Sequence, residues 1–160
     1  MSLRADHNLI ASWVAPGSRV LDLGCSRGTL LMALRDTKDC RIQGVDIRSS
    51  FLLKAVADGV PLIQMNIDEE LDRFADASFD VVILSRTLQL VRDPATVLEQ
   101  MLRIAPAAIV SMPNFAYWRN RFQLLHGRAP MSKDLPYEWH NSPNFHFGSV
   151  RDLEQLFADL

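Results

Sequence analysis

Cysteine is scarce in this chain of 160 residues. It has two, Cys25 and Cys40, which are too few for a disulfide framework or a four-cysteine zinc site. A dominant charge is also missing. Seventeen Lys and Arg against 19 Asp and Glu leave a net charge of -2, so no global field draws the chain to nucleic acid or to an anionic membrane. No apolar run reaches the roughly 20 residues of a membrane-spanning helix. Met1 to Asn8 lack the apolar centre of a signal peptide, which makes the cytoplasm the expected compartment. There is no internal repeat, low-complexity tract or linker. What remains is an ordinary globular composition, 48% apolar and 22% charged, on a chain long enough to bury a real core.

The chain is organised around Arg19 to Gly28, RVLDLGCSRG. Arg19 to Leu23 reads as a buried strand that ends near Asp22. Gly24, Ser26 and Gly28 form a tight turn, and Thr29 to Arg35 reads as a helix. Strand, glycine turn and helix make the first crevice of a doubly wound sheet. Arg41 to Ile47 is a second apolar strand that carries Asp46. This acid lies about 20 residues past the glycines, where a ribose-binding carboxylate is expected. A carboxylate accepts from both ribose hydroxyls, so the two strands together suggest a nucleoside-containing ligand.

The turn reads D-x-G-x-S-x-G rather than G-x-G-x-x-G. An acid aimed at a pyrophosphate would repel it, which disfavours NAD and FAD. A ligand with an ammonium and a sulfonium suits Asp22 better, and S-adenosylmethionine has both. The plain alternative is a strand, turn and helix without a ligand.

The remaining elements follow from periodicity and punctuation. Leu9, Ile10, Trp13 and Val14 have helical spacing, so Arg4 to Val14 should open the fold as a helix, stopped by Pro16-Gly17. Asp36 to Asp39 reads as a polar turn. Ser49 or Ser50 caps a helix carrying Phe51, Leu52, Ala55 and Val56, and Gly59 ends it. Val60 to Met65 is a third strand. Pro61 near its start suits a sheet edge. Phe79 to Leu84 is a fourth strand, apolar on both faces as in a central parallel strand. Asp93-Pro94 starts a helix whose buried stripe is Val97, Leu98, Met101 and Leu102. Ala107 to Met112 is the fifth strand. After Pro113-Asn114, Phe115, Trp118, Phe122 and Leu125 share a helix face. Ser149-Val-Arg-Asp152 is a capping box that opens a last helix. Strands alternating with helices imply a parallel sheet covered on both sides, with ligands beyond the carboxyl ends of the strands. Asp22, Gly24, Asp46, Asn66 and Ser85 all fall at such ends.

Val20 to Cys25, Phe79 to Ser85 with Thr87 to Gln89, Ile109 to Phe115, and Leu135 to Trp139 resemble the class I S-adenosylmethionine-dependent methyltransferases, and within them the MetW family of methionine biosynthesis. The resemblance implies an α/β Rossmann-like fold with a mostly parallel, doubly wound sheet of about five strands. It implies one domain over 1–160, truncated at its C-terminus because the superfamily continues with further strands. It also implies S-adenosylmethionine or S-adenosylhomocysteine as cofactor. Asp22 and Gly24 would face the methionine moiety, Asp46 the ribose and Ile47 the adenine. Asn66, with Ile67 beside it, would stand near the adenine amino group, and Ser85 near the sulfonium. Cys25 and Gly28 complete the expected cofactor-binding set, Cys25 with a side chain suited to packing rather than attack. Two departures stand out: Ser26 replaces the middle glycine of the turn, and Arg27 is expected to face water.

Two roles fit this resemblance. One is a methyltransferase with an unidentified acceptor. The other is a regulatory or activating partner of homoserine O-acetyltransferase. A nicotinamide-dependent oxidoreductase is a weaker third reading. Gly127 to Gly148 is long and irregular, as functional loops often are, and holds Tyr137, Trp139, His140, Phe145, His146 and Phe147. Tyr137, Glu138, His140 and His146 are candidate bases, although an isolated loop His is more often structural. His126, His140 and His146 lack metal-site spacing. Arg119, Arg121, Arg128 and Lys133 read as a solvated face rather than a nucleic-acid patch.

Overall fold

The strand before the glycine turn lies at the centre of a five-stranded sheet. The computed structural model describes residues 3–160. The strands are β1 (Arg19–Leu23), β2 (Arg41–Asp46), β3 (Leu62–Gln64), β4 (Val81–Ser85) and β5 (Ala107–Ser111). The helices are α1 (Ala5–Trp13), α2 (Thr29–Lys38), α3 (Ser49–Ala57), α4 (Pro94–Ile104), α5 (Trp118–Leu125) and α6 (Val150–Ala158). The sheet runs β3-β2-β1-β4-β5, and every pairing is parallel. The chain winds from β1 outward to β3, then returns past β1 to β4. The order therefore reverses between β1 and β4, and a crevice opens there at the carboxyl ends.

Side chains alternate across a strand, and the two faces of the sheet build two cores. Val20, Val81 and Ile83 pack with Ile10 of α1, Leu30, Leu31 and Leu34 of α2, and Ala55 of α3. Leu21, Leu23, Val82 and Leu84 pack with Val97, Leu98, Met101 and Ile104 of α4, with Leu153 and Leu156 of α6 against them. Burying each large aliphatic side chain stabilises by about 1.5–3 kcal/mol. The central strands owe their place to such runs on both faces.

The boundary residues act as their chemistry requires. Asp93 Oδ1 accepts from the Thr96 N–H at 3.2 Å, with Pro94 in the first turn of α4. Ser149 and Asp152 close the capping box of α6. Gly59 sits at φ +70° beyond α3. Pro61 precedes the edge strand β3, and its carbonyl accepts from the Gly44 N–H at 2.8 Å.

Several sequence expectations change. Helix α2 continues through the expected turn to Lys38, with Thr37 Oγ1 bonded back to the Ala33 carbonyl at 2.7 Å. It ends at Asp39, whose φ of +52° a short polar side chain tolerates. Of the four apolar residues expected on α1, Ile10 is buried in the helix and Val14 just beyond its end, while Leu9 and Trp13 face outward. On α4 Leu102 is exposed, and Ile104 takes its place in the stripe. Trp118, Phe122 and Leu125 do share a face of α5, but that face is exposed. Phe115 lies in the turn before it. The side chains of Leu52 and Val56 lie outside the described residues. Val60 and Met65 are buried but flank the short β3 ladder. Residues 127–148 contain neither helix nor strand.

Candidate functional site

The glycine turn lies at the carboxyl end of β1. Gly24, Ser26 and Gly28 all have positive φ, at +74°, +55° and +68°. The N–H groups of Gly24 and Cys25 donate to the Val45 carbonyl of β2 at 2.8 and 3.0 Å. A Cβ on Gly24 would sit 2.5 Å from Thr87 Oγ1, so at this position glycine is required for space as well as for backbone angle. Ser26 holds its left-handed conformation while its N–H donates to Asp46 Oδ2 at 2.9 Å. Arg27 faces solvent.

Asp46 is 3% exposed and is heavily bonded. Its Oδ1 accepts from the backbone N–H of Arg48 at 2.9 Å and from the Arg48 Nε–H at 3.1 Å. The Arg48 guanidinium also lies 4.2 Å over the Phe51 ring. Next to this buried acid, Ile47 is 59% exposed. Gly24, Asp46, Ile47, Asn66 and Ile67 line one cleft of about 370 Å³, and Tyr137 and Pro143 of the long segment close one side of it.

The other expected residues lie elsewhere. Cys25 and Gly28 do not line this cleft and shape the turn from behind. Cys25 Sγ fills the space a Cβ on Gly44 would need, and Gly28 faces Val60. Burial, with Asp22 and Asp46 adding to it, pushes the Cys25 thiol up, which keeps it protonated and suits packing. Asp22 and Ser85 lie on the side of the sheet ends that faces the start of α1. Ser85 Oγ meets Arg4 Nη2 and Ser111 Oγ, each at 3.2 Å. Asp22 is buried, and its Oδ1 has no hydrogen-bond partner among the described residues. Desolvation raises its pKa from 3.8 to about 7, with Arg4 opposing and Asp46 adding.

Arg4 and His7 are therefore site neighbours that the sequence reading missed. His7 Nδ1 is also buried without a described partner. Desolvation is the main cause that holds the His7 pKa below its ordinary value, followed by the Arg4 cation. Their positions at the start of α1 gave no signal, because only the sheet order brings the start of that helix over β4.

The long segment is pinned at several points. Arg86 bridges Asp6 of α1 at 3.0 Å and Asp134 at 2.8 Å. The Phe145 N–H donates to the Gln89 carbonyl at 2.9 Å. The three histidines near this segment are spread out. His126 bonds the Phe122 carbonyl, His140 meets Glu138, and His146 meets the Arg92 carbonyl. No helix among the described residues is long and apolar enough to cross a membrane.

The profile of the family described as methionine biosynthesis protein MetW matches residues 4–160. The chain belongs to the MetW family. It is 37% identical over 170 residues to the bifunctional methionine biosynthesis protein MetXA/MetW of Rhodopirellula baltica, covering all of this chain and 27% of that protein. This MetW-family chain thus spans about a quarter of that relative's length. It is also 36% identical over 94 residues to the ubiquinone biosynthesis O-methyltransferase of Paracidovorax citrulli, covering 55% of this chain and 39% of that one. Among solved structures, a SAM-dependent methyltransferase of Thermotoga maritima superposes with a TM-score of 0.71 at 20% identity, covering 97% of this chain and 68% of that chain. One from Aquifex aeolicus gives 0.68 at 15% identity, covering 96% and 78%. These two likenesses establish the Rossmann-like α/β fold of the MetW-family chain.

Proposed function

We propose that the chain binds S-adenosylmethionine or S-adenosylhomocysteine in the cleft at the ends of β1 and β2, and that it works in methionine biosynthesis beside homoserine O-acetyltransferase. One observation carries the cofactor reading: nearly buried Asp46 and exposed Ile47 are adjacent in the same cleft. The acid suits two ribose hydroxyls, and the aliphatic side chain offers a flat apolar support for a base. Asp22 adds a buried carboxylate on the side where an ammonium would lie, which argues against a pyrophosphate. The Arg48 guanidinium covers Asp46, so the ribose would displace it.

When bound, S-adenosylmethionine supplies an activated methyl group on a sulfonium. The chain's own part is to orient the cofactor and exclude water. Asp46 and the backbone around Gly24 would hold it, and Tyr137 and Pro143 would narrow access to it. We assign no general base. The fusion named in the Rhodopirellula relative supports a working association with the acetyltransferase. A regulatory role is chemically sensible there, because S-adenosylmethionine is a downstream product of methionine.

Calorimetry with S-adenosylmethionine, S-adenosylhomocysteine and NAD tests the cofactor reading. The first two should bind in preference to NAD. Asp46→Ala should weaken them by about 1.5–3 kcal/mol, the worth of hydrogen bonds to a charged group. NAD binding of equal strength would sink the assignment. Co-elution with homoserine O-acetyltransferase on a sizing column tests the partner separately, and independent elution at micromolar concentration would remove it.

A further inference from the structure

A second cavity lies between the long segment and the α5 region, and the proposed function does not use it. It has a volume of about 280 Å³ and is lined by Phe115, Tyr137, Trp139 and Phe147, with Leu135 and Glu138 among the other lining residues. The rings of Phe115 and Phe147 are 5.1 Å apart. Trp139 is 82% exposed, Phe147 52% and Tyr137 48%, so these rings keep free area that the core does not use. Among the described residues, Glu138 is the only carboxylate in the lining, and no Lys, Arg or His lines the cavity. His140, which does not line it, meets Glu138 at 3.4 Å.

We propose that this cavity binds a small organic cation of the alkylammonium type. The aromatic faces carry negative quadrupole charge that attracts a cation, and they favour one dressed in methyl or methylene groups over a hydrated ammonium. Glu138 supplies a single formal negative charge at the wall. An anionic ligand would meet that charge with no cation in the lining to offset it. A neutral apolar ligand would gain from the rings but nothing from Glu138. Tyr137 lines both this cavity and the cleft that holds Asp46, so the occupant would sit one ring away from the proposed cofactor. Its role as an acceptor-side site rests on the cofactor reading, but its binding does not.

The test uses choline and its neutral carbon isostere, in which a tert-butyl group replaces the trimethylammonium. Binding is followed by ligand-observed NMR on the whole chain. Cation–π attraction to the rings, with the Glu138 charge added, should make choline bind about 10-fold tighter than the isostere. Glu138→Gln removes only the charge and should narrow the preference to about 2- to 7-fold, the part the rings supply. Phe147→Leu keeps apolar area but loses a ring, and should weaken choline about 2- to 30-fold. Far-ultraviolet circular dichroism checks that both variants fold, and the Glu138 side chain is 56% exposed. Equal binding of choline and isostere overturns the proposal, as does choline binding indifferent to both substitutions. S-adenosylmethionine is titrated into the same samples. Cofactor binding without choline binding removes the cavity assignment alone. Choline binding without cofactor binding upholds the cavity and removes the cofactor reading.

Discussion

Replacing Asp22 by asparagine should stabilise the fold at neutral pH while weakening the cofactor. The carboxyl is fully buried, has an oxygen with no described partner, and titrates at about 7 instead of 3.8. The rise from 3.8 to about 7, at about 1.36 kcal/mol per pH unit, puts the penalty for the ionised form near 4 kcal/mol. The sign follows from proton counting. Between about pH 4 and pH 7 the native chain holds a proton that the unfolded chain has released. Stability therefore falls as pH rises through that window and levels off above the folded pKa. An asparagine side chain does not titrate, so the variant loses this slope. The measurement is urea unfolding of both proteins at about pH 4.5 and about pH 8, with free energies from linear extrapolation. The stability difference should shift in favour of Asp22→Asn by a few kcal/mol between the two. Parallel pH curves would refute the reasoning. Binding gives an independent check. A cationic ligand favours the ionised acid, so S-adenosylmethionine should bind more tightly as pH rises toward 7. Below that pH, binding should release a proton, visible as a buffer-dependent heat in calorimetry.

Two further substitutions probe the turn and its acid. Ser26 has φ +55°, a conformation that costs a non-glycine residue roughly 1 kcal/mol. Ser26→Gly should thus raise unfolding stability by about 0.5 kcal/mol after the added flexibility of the unfolded chain is counted, and lower stability would show that the serine side chain contributes. The Arg48 guanidinium is 57% exposed and screened by water where it reaches the buried Asp46, which keeps the backbone N–H bonds of Ser26 and Arg48 without it, so its hold on that acid is worth about 1 kcal/mol. Arg48→Ala should therefore tighten S-adenosylmethionine about 2- to 5-fold by calorimetry, whereas weaker binding would mean that Arg48 touches the ligand.

The sheet was legible because each strand is a short apolar run closed by a polar residue, and because turns and caps carry their own chemistry. Asp93-Pro94 and Ser149 to Asp152 started helices where their side chains could bond free N–H groups. Gly24, Asp46, Ile47, Asn66 and Ile67 could be placed together because parallel strands bring their carboxyl ends to one rim. Other features depended on what packs against what, which periodicity does not report. Spacing showed that Trp118, Phe122 and Leu125 share a face of α5, but it could not show that the face stays exposed. It could not bring Arg4 and His7 to the rim that holds Ser85 and Asp22, because the Arg4–Ser85 contact joins positions 81 residues apart and arises only when α1 lies across the finished sheet. Cys25 and Gly28 belonged to the motif by position, yet their contacts with Gly44 and Val60 make them parts of the packing.

The unfavourable features of the fold gather at one rim. Asp22 is a buried acid with one oxygen lacking a described partner, Ser26 holds a left-handed backbone, and the buried Asp46 is satisfied partly by the exposed arm of Arg48. The central strands behind them have fully buried aliphatic side chains. Stability alone would select asparagine at position 22, glycine at position 26 and a less buried residue at position 46. Local rules are most often broken at functional sites, and these three breaks share a chemistry. A ligand with an ammonium near Asp22 would neutralise the buried charge, and hydroxyls at Asp46 would replace the Arg48 contacts. The left-handed backbone at Ser26 keeps the turn's N–H on Asp46 and so holds that acid in place. If Asp22→Asn and Ser26→Gly each stabilise the fold, their gains should be close to additive in unfolding, because Ser26→Gly keeps the N–H bond to Asp46, the acid through which the two positions are linked. In cofactor binding the two changes should separate. Asp22→Asn should weaken affinity, while Ser26→Gly, which preserves the N–H donor to Asp46, should leave it nearly unchanged.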